Sequence, residues 1–189
     1  MKLPDYFMVL DVESIGLHGE GYAWACVVIN GGGERVSSFH RFVDPHAARG
    51  SLSGRQWVSE HADPEKSGWS PTSELSSPYA LRDSFWAFWK AWERNGAVLA
   101  ADCPWPVETN FLSECVADRP DDRSLGGPYP LIDIASVLLA AWMDPKAEYD
   151  RLPDELPRHD PLADARQSAR LLATALKKIR VEKLNGGHQ

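Results

Sequence analysis

Cysteine is scarce in this chain, and its three copies do not make a framework of cross-links. Cys26, Cys103 and Cys115 are odd in number and sit in apolar surroundings, so a reducing compartment is expected and a disulfide scaffold is not. No two of them have the spacing of a zinc site. Long hydrophobic runs are missing as well. No segment approaches the roughly 18 uninterrupted apolar residues of a membrane span, and the opening Met1-Lys2-Leu3-Pro4-Asp5 has no apolar stretch of the signal-peptide kind. A soluble, cytoplasmic protein with no membrane partner is the expectation. Positive charge is also short, since 20 Lys and Arg against 27 Asp and Glu leave a formal charge of −7. That balance argues against wrapping long duplexes by bulk electrostatics, which needs many cations facing phosphates. A short strand end stays open, because divalent cations can stand between acidic side chains and phosphate.

What is present suits one ordinary globular domain. The 189 residues are 43% hydrophobic and 25% charged, enough to build a single core without staples. The domain is expected over residues 1–182, with the polar tail 183–189 fraying. Tyr6 to Asp11, Tyr22 to Ile29 and Arg35 to Val43 read as strands, and Asn30-Gly31-Gly32-Gly33 is the turn of a meander. His46 to Ser77 is rich in Ser, Gly, Pro and acids, with a short helical candidate at Gln56 to His61. It is expected to be mobile surface, and its exposed part over Ser51 to Ser77 can serve a homodimer. From Pro78 to Arg94, Leu81, Phe85, Phe88, Trp89 and Trp92 fall at helical spacing and, with Trp86, are assigned to the core. Ala97 to Ala101 is a short buried strand, Pro106 to Val116 a helix and Leu131 to Ile134 a strand running into another helix. The last helix spans Pro161 to about Ile179. Three early strands followed by alternation predict a mixed α/β sheet flanked by helices. Trp57 and Trp69 are candidates for stacking on a base. Lys177, Lys178, Arg180 and Lys183 read as a solvated helix end.

The chemistry lies at three places. Asp11 and Glu13, two apart on a strand, project to one face, where an oxygen-only environment suits Mg²⁺ or Mn²⁺. At Arg158-His159-Asp160-Pro161-Leu162-Ala163-Asp164, Asp160 is a good N-cap and Pro161 a good first helical residue. Five residues apart within one helix would point about 140° apart. With His159 in the preceding loop and Asp164 in the first turn, both can face one pocket. Between these segments, Asp102 ends the fourth strand and Glu108 opens the next helix, and either acid can complete a carboxylate cluster. Four converging acids would raise one another's pKa values unless cations offset them.

On these motifs the chain resembles the DEDDh 3′→5′ exonucleases of the ribonuclease H-like superfamily, a group that includes proofreading exonucleases, oligoribonucleases and small exoribonucleases. Asp11-Val12-Glu13 followed by Ser14-Ile15-Gly16-Leu17 matches the first motif, and His159 with Asp164 matches the last. The middle motif departs from the pattern: register before Phe111-Leu112 favours Glu108, residue type favours Asp102, and register is given the greater weight. The resemblance implies a five-stranded mixed sheet, second strand antiparallel, with helices on both faces. It implies two divalent metal ions held by Asp11, Glu13, Asp164 and the middle acid, with His159 as general base. It implies Ser14, Ile15, Gly16 and Leu17 at the 3′ end of a single-stranded RNA or DNA substrate, with nucleoside 5′-monophosphates as products. A catalytically silent module of the same fold, binding nucleic acid or protein, is the alternative.

Overall fold

The computed structural model describes residues 4–69 and 73–186. β1 (Tyr6–Ser14), β2 (Gly21–Asn30) and β3 (Arg35–Phe42) form an antiparallel meander. The β2–β3 turn is held by Asn30, whose Oδ1 accepts from the Gly32 and Glu34 amides at 2.9 and 3.0 Å, with Gly33 at φ 89°. β4 (Ala97–Ala101) and β5 (Leu131–Asp133) then add parallel to β1, giving the order β3-β2-β1-β4-β5. This is the five-stranded mixed sheet that the resemblance implies.

Helices cover both faces. α2 (Pro78–Glu93) and α3 (Val107–Ala117) pack on one side, where Leu81, Phe85, Trp89 and Phe111 meet Met8, Leu10, Val12 and Trp24. The core assignment of the α2 aromatics holds, with Trp86, Phe88 and Trp92 partly buried at its border. α5 (Ile134–Ala140) and α6 (Pro161–Gly186) cover the other side, where Ile134, Leu138, Ala165, Ala169 and Leu172 meet Phe7, Val9, Val27 and Ile29. Strand periodicity puts Asp11 and Glu13 on this second face, with Phe7 and Val9. Asp11, Asp102 and Asp133 all sit where the parallel strands end, the edge at which open α/β sheets place their sites.

The helix starts follow capping chemistry. Ser51 caps α1 (Leu52–His61), Ser77 caps α2 and Asp133 caps α5, each accepting a backbone amide of the first turn. Asp160 does the same for α6, taking the Leu162 amide at 2.8 Å. α4 (Pro120–Arg123) is a single turn.

Three expectations are corrected. The segment from His46 to Ser77 is less irregular than its composition suggests, since α1 begins at Leu52 and a 3-10 turn spans Pro45–Ala47; residues 70–72 fall outside the described set. Trp69 is no free stacking surface, being 7% exposed and packed against Tyr22, His40 and Phe42. α6 continues to Gly186, past the expected end near Ile179; residues 187–189 and the Lys183 side chain lie outside the described residues. Cys26 and Cys115 are buried while Cys103 is exposed, and all three are free. Among the described residues no helix is long and apolar enough to cross a membrane.

Candidate active site

The end of β1 brings the two outer motifs together. Glu13 is 8% exposed, and ligand atoms of Glu13, His159 and Asp164 all lie within 4.8 Å of one another. His159 Nδ1 is 3.9 Å from Glu13 Oε1. The histidine sits in the loop before α6 at φ 63°, a left-handed conformation rare for a side chain-bearing residue. That turn aims its own amide at Asp164 Oδ2, which accepts it at 3.0 Å.

The middle acids occupy different environments. Glu108, 6% exposed in the first turn of α3, accepts the Val12 amide at 3.3 Å, so its carboxylate is seated on the end of β1. Asp102 is exposed one residue past β4, nearest in charge to Asp133 and Asp164. Glu108 raises the pKa of both Asp11 and Glu13, whereas Asp102 acts on Asp11 alone and less strongly.

The cluster is short of positive charge. Burial, then Asp164, Glu13 and Glu108, push the Asp11 carboxyl well above its ordinary value. Burial, then Asp164 and Glu108, do the same for Glu13. Glu108 is pushed up to about 7, chiefly by burial. Among the described residues Arg151, paired with Asp164, is the one guanidinium bonded to any of these acids. Crowded carboxylates with raised pKa values and a nearby imidazole form a hard-donor set that divalent cations fit, because the cations would offset the repulsion. His159 moves the other way: burial lowers its pKa, with Asp164 opposing and His61, Arg151 and Arg158 assisting. A neutral imidazole at neutral pH is a competent proton acceptor.

Around this centre, the segment after Glu13 divides. Ser14 is buried, its hydroxyl donating to the Gly16 carbonyl at 2.7 Å, and Ile15 is 1% exposed in the core. Gly16 turns at φ 71° and Leu17 stands 66% exposed. α1 packs tightly beneath this loop, where a Cβ on Gly54 would lie 2.8 Å from the Ile15 carbonyl. The close approach brings Trp57, 39% exposed, edge-on to His159 with ring centres 4.9 Å apart, and stacked on His61 at 5.0 Å. Sequence reasoning marked Trp57 as a stacking residue without placing it beside His159. It missed Arg151 altogether, since an arginine in an irregular loop carries no periodic signal.

By sequence, neither a family profile nor a curated protein matches this chain. By structure it is similar to exonuclease I from Methylocaldum szegediense, at 16% identity and TM-score 0.56, covering 95% of this chain and 41% of that one. It is also similar to E. coli exonuclease I in complex with a dA16 oligonucleotide, at 11% identity and TM-score 0.57, covering 95% and 44%. A zinc-bound form of the E. coli exonuclease I–ssDNA complex matches at 11% identity and TM-score 0.52, covering 98% and 42%. The chain therefore spans less than half the length of these proteins, and what the likeness establishes is the fold: a ribonuclease H-like sheet of the exonuclease I type.

Proposed function

We propose that the protein is a metal-dependent 3′→5′ exonuclease that shortens single-stranded RNA or DNA to nucleoside 5′-monophosphates. The observation that carries this reading is the convergence of Asp11, Glu13, Glu108 and Asp164, with His159, at one sheet end of an exonuclease-like fold. The exonuclease I structures it resembles, two of them complexes with DNA strands, support a single-stranded DNA substrate. Two Mg²⁺ or Mn²⁺ ions, held by the four carboxylates, would supply charge stabilisation at the phosphate and a more acidic attacking water. Glu108 is the middle acid of this set, because its carboxylate holds the Val12 amide between the two β1 acids and raises the pKa of both. His159, neutral through burial, accepts the proton of the attacking water. Its orientation is kept by the Trp57 edge and by its own amide bond to Asp164. Trp57, exposed against His159, and Leu17, exposed four residues after Glu13, present apolar surface to the terminal nucleotide.

The test uses 5′-labelled single strands of DNA and RNA with Mg²⁺ or Mn²⁺. A ladder shortened from the 3′ end is expected, abolished by chelator and reduced at least about a hundredfold in Asp11→Ala and His159→Ala, the scale of losing a positioned acid or base. Absence of metal-dependent trimming on every strand would refute the reading and leave a silent binding module.

A further inference from the structure

Arg151 reaches into a cluster made otherwise of acids and one histidine, and only part of it is committed there. Its Nη1 pairs with Asp164 Oδ1 and also donates to the Glu155 carbonyl at 2.9 Å. Nε and Nη2 make no hydrogen bond among the described residues. The backbone that carries it is tied down: the Leu152 amide donates to Glu155 Oε2 at 2.9 Å, and Arg170 grips the same buried carboxylate at 2.6 and 2.8 Å. The loop is thus anchored while the Arg151 side chain stays 16% exposed. Arg151 also lines a cavity of about 170 Å³ with Arg158, Tyr149 and Gln167 and with the carboxylates of Asp102 and Glu148. Arg158 is exposed and forms no ion pair among the described residues. Two guanidiniums at one small cavity are a donor set matched to phosphate oxygens.

We propose that Arg151 exchanges anions: it holds Asp164 in the metal-free protein and passes to a phosphate oxygen of the bound strand, in the cavity shared with Arg158, once Asp164 ligates a cation. This rests on the nuclease reading above. The carboxylate oxygen that Arg151 holds is withheld from a metal ion, and its positive charge repels one at that range. When Asp164 is taken over, the guanidinium becomes an uncompensated cation beside cations, and the phosphodiester is the anion that arrives to receive it. Arg151 is therefore a competitor of metal and a ligand of substrate.

The experiment compares the wild type with Arg151→Met and Arg151→Lys. Mn²⁺ affinity is read by electron paramagnetic resonance without nucleic acid. kcat and KM are read at saturating Mn²⁺ on an oligothymidylate or oligouridylate of about eight nucleotides, whichever the wild type shortens. Arg151→Met is expected to bind Mn²⁺ about tenfold tighter yet lose about a hundredfold in kcat/KM, with Arg151→Lys between it and the wild type on both measures. The lysine variant keeps a charge at the site and carries the comparison if the methionine variant does not fold. Mn²⁺ affinity that is weaker or unchanged in the variants overturns the exchange, since Arg151 then only braces Asp164. Tighter Mn²⁺ with unchanged kcat/KM also overturns it, because the guanidinium then never serves the phosphate. In both cases a wild type that binds Mn²⁺ and trims keeps the nuclease reading intact. A wild type that does neither removes both.

Discussion

Glu13 closes β1 and Glu20 precedes β2, and they are similarly buried at 8% and 6% exposure, yet the protein treats their charges in opposite ways. Glu20 belongs to a paired network. Arg82, itself 6% exposed, donates to Glu20 Oε1 at 2.7 Å and binds Asp118 in bidentate fashion at 2.6 and 2.9 Å. Arg49 adds its amide to Glu20 at 2.9 Å and its side chain to Glu20 and Glu114. Burial alone would raise the Glu20 carboxyl, and these bonds hold it below its ordinary value instead. Glu13 sits among Asp11, Glu108 and Asp164, where burial and like charge push it up. Each acid of the first cluster has an arginine; among the described residues the second has one arginine for the whole group. Paired charges brace a loop, here the turn between β1 and β2, whose Ile15 amide donates to the Glu20 carbonyl at 3.1 Å. Crowded like charges store repulsion that a cation can relieve.

The largest test of this contrast is Arg82→Met. Removing one partner from a buried pair strands the other charges, so urea unfolding is expected to show a loss of about 3–5 kcal/mol. A loss below about 1 kcal/mol would show that the network is not a brace. Glu108→Gln should have the opposite sign for stability. Deleting a charge from the crowded cluster while keeping an oxygen for the Val12 amide is expected to stabilise the metal-free protein at pH 8 by about 2 kcal/mol. The same change should cut trimming about a hundredfold, while Asp102→Asn changes it by less than about threefold. Equal loss in both variants would erase the distinction drawn between the two acids. The smallest effect is the pH dependence of stability without metal. Glu108, raised from 4.5 to about 7, is protonated in both folded and unfolded chains at low pH. As pH rises the unfolded chain ionises first, so its contribution is lost between those values. Glu20 acts in reverse, its contribution present above its ordinary 4.5 and lost on acidification. Thermal melts from pH 4 to 8 in chelator should therefore fall with pH in the wild type, and fall less in Glu108→Gln; parallel curves would contradict the assignment.

Much of the architecture was legible because it rests on local rules. The period-two spacing of Asp11 and Glu13 put both on one face, the Asn-Gly turn made the meander, and Asp160-Pro161 marked where α6 begins and so where His159 and Asp164 separate. Trp69 was misread because its surroundings, Tyr22, His40 and Phe42, come from β2 and β3 and from nothing near it in sequence. The helical candidate at Gln56 to His61 marked only the later part of α1, whose first turn carries Gly54 against Ile15 and whose body brings Trp57 to His159.

By itself the sequence determined the strands, the start of α6 and which acids share a face, since these follow from side-chain periodicity and capping over a few residues. Only the tertiary structure seats the Glu108 carboxylate on the end of β1, through a bond to the Val12 amide that joins residues 96 apart in the chain. It alone placed Arg151 on Asp164 and gave Glu20, but not Glu13, its arginines. Desolvation and Coulomb energy depend on distances across space, and no local pattern encodes those.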